Sequence, residues 1–76
     1  GIKSQIEELV SGLDEMYRDG DVDKAVRNLT DYMMAALELE STWHKDKVFK
    51  LLAENRVVRD ISTHCGEAVK KILEKL

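Results

Sequence analysis

A chain of 76 residues has room for one domain, and such a short chain buries only about 60% of the surface its unfolded form exposes, so its core is thin. Apolar residues make up 43% and charged residues 36%, a balance that excludes a disordered tail and fits a folded globule. The net charge of −3 argues against direct binding of DNA or RNA, whose binding domains are usually basic overall.

The 3.6-residue period of amphipathic helices dominates the chain, and no proline interrupts it. The first segment places Ile2, Ile6, Leu9, Val10, Leu13, Met16 and Tyr17 on one stripe, with Lys3, Glu7, Glu8, Asp14 and Glu15 off it. Gly12 at the edge of that stripe costs about 1 kcal/mol against alanine. Arg18-Asp19-Gly20-Asp21 closes the helix, with Gly20 suited to a C-terminal cap and Asp21 to an N-cap for the next. The second helix carries Val22, Ala25, Val26, Leu29, Tyr32, Met33, Ala36 and Leu37, and is expected to end near Glu38–Glu40.

Ser41 and Thr42 then offer fresh N-caps. The stretch from Trp43 to Glu54 is less regular and fits either one helix or a short turn followed by a helix from Asp46. Asn55-Arg56 reads as a break. The last helix is the clearest, with Val58, Ile61, Cys65, Ala68, Val69, Ile72, Leu73 and Leu76 at spacings of three and four, and Lys70, Lys71, Glu74 and Lys75 outside them. Gly66 within it marks a weak point or a close approach by another helix. The expected fold is therefore all-α: a compact bundle of four or five short amphipathic helices forming a single domain over 1–76. Gly1 reads as an expression remnant, so the domain is expected to be excised from a larger protein.

The charge is polarised along the chain. Residues 1–20 and 21–40 each carry −3, whereas residues 41–76 carry +3. Such asymmetry steers encounters with partners that carry clustered charge. The single cysteine, Cys65, leaves no internal disulfide, which points to a reducing compartment. No apolar run approaches the ~20 residues of a membrane helix, and the N-terminus has no signal-peptide character.

No catalytic, cofactor or metal site is expected. His64 and Cys65 are adjacent, so on a helix they point about 100° apart, and zinc requires three or four convergent ligands. Cys65 lies on the apolar stripe, where a free cysteine behaves as a small hydrophobe rather than a nucleophile. Trp43 has two readings: a residue closing the junction between the second and third helices, or an interface anchor of the kind tryptophan often supplies. Val58 joins the last stripe. Val57 falls outside it and is available for presentation to a partner.

Three stretches resemble the N-terminal domain of the transcription elongation factor TFIIS and its relatives, most closely the integrase-binding domains of lens-epithelium-derived growth factor and hepatoma-derived growth factor-related proteins. They are Asp21-Val22-Asp23-Lys24-Ala25 with Leu29, Lys47-x-Phe49-x-x-Leu52, and Arg56-Val57-Val58 through Ile61 and Cys65. The resemblance covers most of the chain. It implies a right-handed helical bundle, a nuclear location, and binding of disordered segments of transcription or chromatin proteins that carry an apolar anchor flanked by acidic residues. The implied pocket lies between two loops, here Tyr17 to Asp21 and Asn55 to Val57. Within the first, Tyr17-Arg18 stands where the family has an apolar–acidic pair; in the second, Asn55 stands where it has an aromatic residue.

The expected partner-binding residues are thus Tyr17, Arg18, Asp19, Asp21, Asn55, Arg56 and Val57, joined by the cations Lys47, Lys50 and Arg59 for the ligand's acidic flanks. The domain is expected to act as a monomer that touches neither nucleic acid nor membrane. The alternative is a structural bundle that dimerises to enlarge its thin core.

Overall fold

The computed structural model describes residues 1–74, and in the last helix the side chains up to position 71 other than 68. Five α-helices follow one another: α1 (Ile2–Arg18), α2 (Val22–Leu37), α3 (Thr42–Glu54), α4 (Arg56–Ser62) and α5 (Glu67–Glu74). No strand occurs among the described residues, so the chain is a small all-α bundle.

The first turn forms as the sequence predicts, with one difference. Gly20 adopts φ +82°, the left-handed conformation that glycine enters without steric cost. Its N–H donates to the Tyr17 carbonyl at 3.2 Å and the Asp21 N–H donates to the Met16 carbonyl at 2.9 Å. Those two bonds are a Schellman closure, which satisfies the orphan carbonyls at the end of α1. Asp21 occupies the N-cap position of α2, but its side chain makes no cap hydrogen bond. Its backbone sits at φ −88°, ψ 63°, outside the extended region that aims a capping carboxylate at the helix.

α2 buries Ala25, Leu29, Met33 and Ala36 along one line, while Leu37, expected on the stripe, is 38% exposed. Thr42–Glu54 proves to be one helix. Ser41 starts it by accepting the His44 N–H on its hydroxyl at 3.3 Å, and no breaker follows before Asn55. Asn55 is extended, at ψ 128°, and its Oδ1 accepts the Val58 N–H at 3.2 Å, so the residue that ends α3 also caps α4.

The expected long last helix is two helices. The Ser62 and Thr63 hydroxyls donate back to the Arg59 and Asp60 carbonyls, each at 2.7 Å, competing with the helical ladder. The N–H groups of Thr63, His64 and Cys65 then bond three residues back rather than four. This tightened turn ends α4, and Gly66 precedes α5 with nothing within 4 Å of where a Cβ would stand. No helix approaches there, so Gly66 marks the break. The stripe survives it: Val58, Ile61, Cys65 and Val69 are all buried. The side chains of Ala68, Ile72 and Leu73, expected on the same stripe, and of Glu74, expected off it, are not among those described, and Lys75 and Leu76 lie outside the described residues.

The buried residues form one cluster, led by Leu13, Leu29, Met33, Leu52, Val58 and Ile61, none more than 1% exposed. Phe49, 3% exposed, is its sole buried aromatic side chain. α1 packs on α2, α3 and α4, and α5 leans on α3. No polar or charged residue is buried among those described, so the core is held by apolar packing and not by an internal polar network. The radius of gyration of 11.6 Å matches the roughly 11 Å of a compact domain this long.

Candidate protein-interaction surface

The ten residues singled out by the sequence fall into two groups: the end of α1 with its turn, and residues of α3, the α3–α4 junction and α4. At the first, Tyr17 is half-buried against the core. Its hydroxyl lies 3.2 Å from His64 Nε2, and the two rings stand 5.9 Å apart, tilted by 54°. The α1–α2 turn is thereby tied to the α4–α5 turn, which the sequence reading placed inside a continuous helix. Arg18 forms an ion pair with Asp14 at 3.0 Å, one helical turn back. Asp19 and Asp21 are exposed.

At the second group, Asn55 spends its side chain on the α4 cap and is half-buried. Val57 lies in the first turn of α4, not in a loop, and is half-buried against the core, leaving part of its surface open. Lys47, Lys50, Arg56 and Arg59 are all exposed. Among the described residues Arg18–Asp14 is the one side-chain ion pair, so none of these four cations is paired with a described carboxylate. Lys47 instead sits over the Trp43 ring, its Nζ 4.9 Å from the centroid, a cation–π contact worth about 0.5–1 kcal/mol at an exposed site. This surface is suited to a ligand that brings carboxylates to the cations and an apolar group to Val57.

The residues that sequence reasoning missed lie at the opposite end of α1. A groove of about 270 Å³ opens between the start of α1, the second half of α2 and the start of α3, lined by Ile2, Tyr32, Ala35, Leu39, His44 and Val48 among others. None of the ten expected residues lines it. From Gln5 at the groove to Tyr17 is roughly 18 Å along the α1 axis, at 1.5 Å per residue. Four large apolar side chains stay exposed: Met34 at 55%, Leu37 at 38%, Leu39 at 40% and Trp43 at 63%; of these Leu39 lines the groove and Trp43 stands beside its His44. Trp43 therefore does not close the α2–α3 junction; it projects from it, its ring edge-on to His44 at 4.9 Å. A signal was present in the sequence. Tyr32 to Leu37 are six consecutive apolar residues, and a helix apolar all round cannot bury every face in a thin bundle.

The titratable groups are arranged for structure. Cys65 is buried, its thiol donates to the Ile61 carbonyl at 3.6 Å, and burial pushes its pKa up, against smaller opposing effects of Thr30 and Lys70. Burial likewise raises the Tyr32 hydroxyl. Among the described residues no three His, Cys, Asp or Glu side chains converge as metal ligands. No described helix is long and apolar enough to cross a membrane. No protein-family model matches the chain, and neither does any curated protein or solved structure.

Proposed function

We propose that this domain is a protein-interaction module that grips short disordered segments bearing an apolar anchor flanked by acidic residues. The observation that carries the proposal is the set of four exposed cations on α3 and α4, none in an ion pair among the described residues, with Arg56 and Arg59 flanking the half-open Val57 along α4. Charge-assisted contacts to a carboxylate are stronger than neutral ones, and a partly screened valine provides an apolar seat at little cost in lost flexibility. The reading takes its partner class, transcription or chromatin proteins, and its nuclear location from the resemblance to TFIIS-type domains. It assigns the domain binding work with neither a catalytic step nor a cofactor.

Chemical-shift mapping with synthetic acidic peptides carrying one Phe, Leu or Trp tests it. Shifts are expected to cluster at Arg18–Asp21 and Asn55–Arg59, and Val57→Glu is expected to weaken binding at least tenfold while leaving the helical spectrum intact. Absence of shifts at millimolar peptide, or unchanged affinity of the variant, overturns the proposal.

A further inference from the structure

We infer that the groove at the other end of the bundle is a self-association site, its occupant the Trp43 side chain of a second copy of this chain. The inference does not depend on the peptide-binding reading: none of that reading's residues lines the groove, and only Lys47, beside Trp43, is shared by the two surfaces.

Three observations on that end bear on the occupant. The groove is lined by Ile2, Ala35, Leu39 and Val48, so it takes an apolar group, and its volume suits a single large side chain rather than a long segment. The only tryptophan of the chain does not line it but stacks edge-on against the lining residue His44 at 4.9 Å, 63% exposed. A surface that carries both an unfilled apolar seat and an unseated aromatic anchor is self-complementary, as a two-fold interface must be.

The charges discriminate further. The α2 side of the groove is acidic, with Asp31, Glu38 and Glu40 exposed, and the α3 side is basic, with Lys45 and Lys47. None of these five takes part in an ion pair among the described residues. A two-fold axis through the groove lays the acidic edge of each copy over the basic edge of its partner. An acidic peptide, by contrast, meets Asp31, Glu38 and Glu40 of its own sign, and a basic one meets Lys45 and Lys47. The patch is small beside the ~800 Å² per partner of a standard interface, so the dimer belongs to the weak, exchanging class.

Trp43 reports on its own burial, since no other tryptophan contributes to the emission. Sedimentation and intrinsic fluorescence are measured together from about 5 µM to about 1 mM, a span that brackets a weak dimer. The mass is expected to climb from 8.7 kDa toward twice that value while the emission shifts to the blue. Ala35→Glu, on the exposed groove wall, is expected to abolish both changes, and Trp43→Ala to abolish the rise in mass; both positions are exposed, so circular dichroism should match the parent. Added salt is expected to weaken association by screening the crossed charges. The inference is overturned by a monomer across the whole range, by association without a change in emission, or by a dimer that both variants leave intact. It is also overturned if the acidic peptides of the preceding test map to Ala35, Leu39 and His44.

Discussion

The same substitution at two glycines is expected to move stability in opposite directions. Gly12 lies within α1 with a right-handed backbone, and a Cβ there meets nothing within 4 Å. Alanine therefore relieves the helical penalty of glycine with no clash, a gain of about 1 kcal/mol. Gly20 also has open space around it, but its φ is +82°. An alanine held in that left-handed conformation costs roughly 1–2 kcal/mol, of which about 0.4–1 kcal/mol is recovered by stiffening the unfolded chain. The net effect is a loss of about 1 kcal/mol, and the two variants separate by about 2 kcal/mol. In a domain of this size 1 kcal/mol shifts Tm by about 4–8 °C, so Gly12→Ala should melt above the parent and Gly20→Ala below it. Urea titrations followed by far-ultraviolet circular dichroism give the free energies. Gly20→Asn is expected to lose less than Gly20→Ala, since asparagine tolerates the left-handed region better. Two shifts of the same sign, or a neutral Gly20→Ala, refute the Schellman closure of α1 and the helical setting of Gly12.

Further outcomes follow from the core, the caps and the buried thiol. Leu29→Ala, at a fully buried position of α2, should cost about 3–5 kcal/mol, most of what a 76-residue domain possesses, whereas Met34→Ala five residues on should stay within about 0.5 kcal/mol; equal costs in urea unfolding contradict the assigned faces. Asn55→Ala should cost about 1 kcal/mol by removing the α4 cap, and Asn55→Asp should restore most of it, as read from the same titrations. The Cys65 and Tyr32 groups titrate above their ordinary range in the folded state because burial disfavours the charged form. Their contribution to stability is complete below the unfolded-state pKa values and is lost as the pH rises toward the folded ones, so the domain should weaken on the alkaline side. Cys65 should also alkylate slowly in the native state and fast in urea; rapid native labelling contradicts its burial.

Periodicity carried most of the fold. Ile6, Leu29 and Ile61, each chosen for its place on an apolar stripe, are 4%, 0% and 0% exposed. The Gly20 turn was legible because only one residue type enters that conformation cheaply. The split of the last helix was not, since Val58, Ile61, Cys65 and Val69 keep their spacing across it. The cause is local: two adjacent hydroxyl residues and Gly66 outweigh helical continuity in one turn. Asn55 illustrates the limit at the site. The Asn55-Arg56 break is legible from the residues themselves, whereas the place of Asn55 among the contact residues comes only from the family resemblance, and its side-chain oxygen is occupied by the α4 cap. Trp43 was legible as one of two alternatives, junction residue or interface anchor, whereas the groove beside it was not, because a stripe wider than the core can cover looks, in sequence, like a better core.

The central functional claim is that the exposed cations of α3 and α4 select acidic partners, and reversing their charge tests it most directly. Paired titrations compare one apolar-anchored peptide with acidic flanks against the same peptide with lysine flanks, for the parent and for Lys50→Glu/Arg56→Glu. The parent should prefer the acidic peptide by tenfold or more, and the double variant should invert that preference while retaining its helical content. Equal affinities for the two peptides in the parent, or a preference that the charge reversal leaves unchanged, contradict the account.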